Sequence, residues 1–85
     1  GDFLVLLGSV ANQLLDPQRQ KIDSIAFANG TLTLSLRPQD PAQLGALLEE
    51  LRAKATVRGL DIRIEPATVA GNPSLRVSAS PAPGK

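Results

Sequence analysis

The chain has 85 residues, 42% hydrophobic and 20% charged, with nine Lys and Arg against eight Asp and Glu. That length suits one domain with one modest core. It contains no Cys and no His, which removes thiol nucleophiles, imidazole bases, disulfides and the usual zinc ligands.

A net charge of +1, with basic residues spread along the chain, lacks the footprint of a nucleic-acid binder. The opening Gly1-Asp2-Phe3, without Met, is expected of a piece cut from a longer protein. Lack of Cys fits either redox compartment.

Phe3, Leu6, Leu7, Val10, Ala11 and Leu14 recur at helical spacing, with Leu4 and Leu15 widening the stripe and Val5 outside it. Asp2 is the expected N-cap, and Asp16-Pro17 the stop. The apolar sector covers about half the circumference, more than the ~100° that packing on one sheet requires. A membrane span is disfavoured, because the run is shorter than the ~20 residues needed and is broken by Gly8, Ser9, Asn12 and Gln13.

Two β-prone runs, Ile22 to Ala28 and Thr31 to Arg37, flank Asn29-Gly30, a strong hairpin signal because both turn residues need positive φ. In the second run Leu32, Leu34 and Leu36 alternate with Thr31, Thr33 and Ser35, so the leucines face a core. In the first, Ile25 and Phe27 are expected on the buried face and Ile22, Ser24, Ala26 and Ala28 on the other. After Pro38, Asp40-Pro41-Ala42-Gln43 reads as N-cap, first helical proline and capping-box Gln. Leu44, Leu47, Leu48, Leu51 and Ala55 form a narrow stripe, Glu49 and Glu50 lie on a solvated face, and Gly59 is the expected stop. Leu60 to Glu65 alternates again, a loop is expected at Gly71-Asn72-Pro73, and Leu75, Val77 and Ala79 mark a last strand.

The order α-β-β-α-β-β repeats a helix and hairpin twice, and neither half can bury its apolar surface alone. The expected fold is therefore α+β, a circularly permuted ferredoxin-like sandwich with two helices on one face of a four-stranded antiparallel sheet. Residues 1–80 form this single domain, and residues 81–85 are expected to be a disordered tail. The strands at Thr31 to Arg37 and Leu75 to Ser80 occupy the centre, leaving Ile22 to Ala28 and Leu60 to Glu65 as edges. Charges at Asp61, Arg63 and Glu65 protect one edge, whereas Asp23 is the only charge on the other, which is then the better place to add a strand from a partner.

No catalytic site is expected. Asp2, Asp16 and Asp40 are explained as helix-end or turn residues, no paired carboxylates stand out, and Gly8, Gly45 and Gly59 lie in or beside helices rather than in a phosphate loop. No metal or cofactor is expected either. A nucleic-acid-binding ferredoxin-like domain is the alternative reading, but the open face would offer Thr31, Thr33, Ser35, Arg76 and Ser78 without a stacking aromatic. Arg37, Arg63 and Arg76 read as solvated strand residues. For a regulatory ligand-binding domain, no ligand-specific group can be named.

The first helix, the segment Ile22-Asp23-Ser24-Ile25-Ala26-Phe27-Ala28-Asn29-Gly30 with its following leucine strand, the second helix through Leu51, and Gly59-Leu60-Asp61-Ile62 resemble the C-terminal periplasmic domain of type II secretion system protein L. The resemblance covers Phe3 to about Ala79. Protein M of the same machine and the paired assembly proteins of type IV pili have related folds. The resemblance implies a parent anchored in the bacterial inner membrane by a single span, with a cytoplasmic part that binds the secretion ATPase and this domain on the periplasmic side. It also implies a homodimer that pairs with the equivalent domain of protein M. The expected interface is the strand Ile22-Asp23-Ser24-Ile25-Ala26-Phe27-Ala28, supplemented by Leu4 and Val5.

Overall fold

Two tight turns organise the sheet. Asn29 and Gly30 adopt φ of 54° and 78° and join β1 (Gln20–Ala28) to β2 (Thr31–Pro38). Ala70 and Gly71, at φ of 53° and 81°, join β3 (Leu60–Val69) to β4 (Asn72–Pro81). Positive φ at both central positions matches the turn to the right-handed twist of the flanking strands. In this computed structural model, residues 2–16, 18–56 and 59–82 are described, apart from the side chains of Asp2 and Phe3.

The four strands form one antiparallel sheet in the order β1-β2-β4-β3, so β2 and β4 are central and β1 and β3 are edges, as the alternation predicts. Leu36, Leu34 and Leu32 of β2 pair with Leu75, Val77 and Ala79 of β4. These six residues are at most 1% exposed. Helix α1 (Asp2–Leu14) adds Leu6, Val10 and Leu14, and α2 (Leu44–Lys54) adds Leu47 and Leu51, all to the same cluster. Both helices therefore lie on one face of the sheet, and the fold is α+β in two layers. Each fully buried Leu contributes about 1.5–3 kcal/mol through removal of apolar surface from water.

Several boundaries differ from the sequence reading. β3 continues through Pro66 to Val69, and β4 already starts at Asn72, so the loop expected at 71–73 is a two-residue turn. Proline is tolerated there because β3 is an edge, where an N–H facing solvent is not needed for the ladder. Ser80, the expected end of the last strand, pairs with Asp61, and Pro81, expected in the disordered tail, extends that strand by pairing with Leu60. The Ala82 N–H donates to the Gly59 carbonyl at 2.9 Å. Residues 83–85 of the expected tail lie outside the described residues.

Asp40 caps a single 3₁₀ turn (Pro41–Gln43) rather than α2 itself, its Oδ1 accepting from Ala42 N at 3.0 Å. The Gln43 N–H is taken by the Asp40 carbonyl at 2.8 Å. At the other end α2 stops at Lys54, while Gly59 (φ 86°) leads into β3 instead of ending the helix. The expected Asp2 cap and the Pro17 stop fall outside the described side chains and residues.

Candidate interaction surface

β1 is hydrogen-bonded on one side only, to β2. Its register contains one extra residue: Ile22 pairs with Leu36 and Ser24 with Ser35, leaving Asp23 as a bulge. A bulge resets the two-residue period of the side chains. Ile22, Ile25 and Phe27 consequently pair with Leu36, Leu34 and Leu32 and share their face, the side on which the helices lie. The expectation that Ile22 points opposite to Ile25 and Phe27 is thereby corrected.

Nor are Ile25 and Phe27 buried as expected: they are 45% and 38% exposed, and Ile22 beside them is 45% exposed. The reason is the placement of the helices. α1 packs against β2, β4 and α2, and α2 against β3, β4 and β2, so the helical layer stops short of β1. On the outer face Ser24, Ala26 and Ala28 lie in register with Ser35, Thr33 and Thr31, a flat surface of small side chains.

Asp23 is held from within its own sheet. Arg37 Nε donates to Asp23 Oδ1 at 2.8 Å and lies 2.8 Å from Oδ2, with the Asp23 side chain 19% exposed. The acid expected to guard this edge thus has its charge matched by the neighbouring strand. Bulges themselves discourage edge pairing, so the protection is confined to the start of β1. From Ser24 to Ala28 the ladder is regular. The opposite edge differs: Asp61, Arg63 and Glu65 are exposed, Arg63 lies 4.0 Å from Asp61, and Pro66 interrupts the row of donors.

On α1, Leu4 and Val5 are 67% and 69% exposed. The helical period separates them. Leu4 shares a flank with Ala11 and Leu15, and those two residues line a cavity of about 340 Å³ together with Gln20 and Ile22. This groove between α1 and β1 continues the apolar strip of β1. Val5 lies on the helix side away from the sheet.

The entry to β1 is fixed by polar contacts. Asp16 Oδ1 accepts from Gln18 N at 3.0 Å, and the Asp16 carbonyl accepts from Arg19 N at 2.8 Å. Arg19 forms a two-pronged ion pair with Glu50 of α2, Nη1 donating to Oε1 at 2.8 Å. Glu50, expected on a solvated face, therefore ties the α1–β1 connection to α2. Beside it Gln20 is 4% exposed, and its Oε1 has no hydrogen-bond partner. Sequence reasoning passes over Gln20, because a single polar residue ahead of an apolar run reads as loop.

Among the described residues no three His, Cys, Asp or Glu side chains converge as a metal site would need. Among the same residues no helix is long and apolar enough to cross a membrane. Across the open face, Arg76 pairs in register with Ser35 and Glu65, and Arg37 is engaged by Asp23. Comparison with protein-family models, with curated proteins and with solved structures finds no match to this chain.

Proposed function

We propose that this domain is a non-catalytic dimerisation and docking module, the periplasmic domain of an inner-membrane assembly-platform protein of type II secretion resembling protein L. The observation that carries the proposal is the β1 edge: a regular ladder from Ser24 to Ala28 with a half-exposed apolar inner face. Leu4, Ile22, Ile25 and Phe27 expose on the order of 350 Å² of apolar side chain, the size of the largest, often functional, patches on ordinary monomers. A strand added at this edge would satisfy backbone groups that otherwise face water and would extend that inner face.

The order β1-β2-β4-β3 is the one a ferredoxin-like sandwich adopts when its first strand is moved to the end of the chain, which supports the permuted topology and the resemblance. In this reading the partners are a second copy and the equivalent domain of protein M, and the parent is anchored in the inner membrane and engages the secretion ATPase in the cytoplasm.

Proline substitution tests the edge. Along an antiparallel edge strand, alternate residues direct N–H outward. Of Ser24→Pro, Ile25→Pro and Ala26→Pro, at least one therefore removes only an outward donor and leaves a folded domain. That folded variant should sediment as a monomer where the parent is dimeric. Unchanged self-association in every folded variant rules the edge out.

A further inference from the structure

Lys21 and Arg37 stand directly opposite each other on β1 and β2. Like charges in that position destabilise a sheet, and among the described residues Lys21 has no ion-pair partner to offset the cost. Both residues are exposed, and both line one cleft of about 180 Å³ at the end of the sheet where β1 and β4 start and β2 ends. Among the described residues no acid lines it. The Asp23 carboxylate reaches Arg37 from the bulge and holds its Nε, at 2.8 Å from each oxygen. That leaves the two Nη groups as a fork of donors, which a carboxylate or phosphate accepts in parallel bonds. Bulges often re-aim a side chain beside a functional site, and this one supplies the acid that orients Arg37.

We propose that the cleft binds the carboxylate of an acidic side chain carried on a peptide. Arg37 takes the two oxygens, Lys21 adds a second cation, and the side-chain amide of Asn72, which also lines the cleft, is a further donor. Charge selects a carboxylate over a phosphate. Lys21, Arg37 and Asp23 carry +1, +1 and −1, a net +1, which a carboxylate balances and a phosphate group of about −1.5 to −2 exceeds. Asp40, the residue after Gln39, is not among the lining residues and turns its Oδ1 to Ala42 N. The walls are stiff, since Pro38, Pro41 and Pro73 have fixed φ and the N–H of Gln39, beside them, donates to the Arg19 carbonyl at 2.9 Å. A ligand therefore loses little affinity to ordering the site. The proline rings also offer apolar surface to the methylene stem of a glutamate, which a bare anion lacks. This site goes beyond the docking at β1 and does not depend on it.

The test is a titration followed through the resonances of the Arg37 Nε–H and the Asn72 amide. The peptide Ac-Gly-Glu-Gly-NH2 should bind at least about fivefold more tightly than its Gln counterpart, which keeps the shape and loses the charge. Arg37→Lys keeps the charge, loses the fork and should weaken binding by at least about fivefold, as should Lys21→Gln. Asp23→Ala raises the local charge to +2 and should shift the preference from the Glu peptide towards inorganic phosphate. Equal binding of the Glu and Gln peptides overturns the proposal. So does an Arg37→Lys variant that binds as well as the parent, because only a diffuse positive potential would then be at work. Acetate binding as tightly as the Glu peptide overturns the peptide source, and tighter binding of inorganic phosphate to the parent overturns the choice of carboxylate. If a variant fails to fold, the four probes compared on the parent domain still decide. None of these readouts depends on self-association, so a failure of the dimer reading is distinguishable from a failure here.

Discussion

Ile25 and Leu34 are cross-strand neighbours on one face of the sheet, yet one is 45% exposed and the other not at all. Truncating each to Ala therefore separates the core from the edge. Leu34 is flanked by Ile25 and Val77 with the helices above it, so Leu34→Ala leaves an enclosed cavity and should cost about 3–4 kcal/mol. Ile25 has about half its surface buried and water can enter the space it leaves. Ile25→Ala should then cost only about 1–1.5 kcal/mol in the monomer. For a chain of this length total stability is on the order of 4–13 kcal/mol, so the first change is severe and the second mild. Association changes the second figure. If a partner copy covers β1, the cost of Ile25→Ala should rise by roughly another 1–2 kcal/mol once the dimer is populated. Urea unfolding followed by circular dichroism at micromolar and at sub-millimolar protein measures both. Equal costs for the two variants at both concentrations would refute the reasoning, because they would mean that Ile25 is already enclosed within one chain.

Further outcomes follow from single side chains. Ala70 holds φ of 53° without being glycine, so Ala70→Asn should raise stability by about 1 kcal/mol, readable as a higher urea midpoint with an unchanged slope. Asp23→Ala should cost no more than about 1 kcal/mol because the Arg37 partner is half exposed, and the loss should shrink in high salt. Asp40→Ala removes the acceptor for Ala42 N and should cost about 1 kcal/mol in the same assay.

What the sequence discloses depends on how local the determining interaction is. The faultless alternation at Thr31 to Leu36 and the Asn29-Gly30 pair are local, and they suffice to place β2 at the centre and the first turn at positive φ. The Asp23 bulge is accompanied by a contact to Arg37, fourteen residues further on, and no glycine marks it. Without the bulge the parity of Ile22 is read wrongly. At the second hairpin the first left-handed residue is Ala70, a poor turn former, so the turn signal in the sequence starts at Gly71 and runs into Pro73. Pro66 and Pro81 read as strand breakers, yet one lies on an edge and the other at the last position of β4, where a missing donor costs little. The candidate surface was half legible: lack of charge singles out β1, but its uncovered inner face depends on where two helices come to rest. Gln20 was not legible at all, since its burial is a tertiary outcome.

The bulge also constrains how two β1 edges can meet. A two-fold axis perpendicular to the sheet keeps inner faces with inner faces, and antiparallel pairing sets side chains of the same face opposite each other. With a side-chain period of two, both conditions hold only if the axis passes through a residue, which then pairs with itself. Regular pairing is limited to Ser24 to Ala28, between the Asp23 bulge and the Asn29-Gly30 turn. The register that uses the whole segment is centred on Ala26, with Ser24 opposite Ala28 and Ile25 opposite Phe27. It joins two aromatic and β-branched pairs on the inner face, a favourable cross-strand combination. The chain has no cysteine of its own, so a scan is clean. Ala26→Cys should form a disulfide-linked dimer under mild oxidation, as self-paired residues on adjacent strands fall within the 4.4–6.8 Å Cα separation a disulfide needs. Ser24→Cys, displaced by two residues from the axis, should not, and neither should Arg63→Cys on the charged edge. Crosslinking at Ser24 in place of Ala26 would move the register, and crosslinking through Arg63 would move the interface to β3.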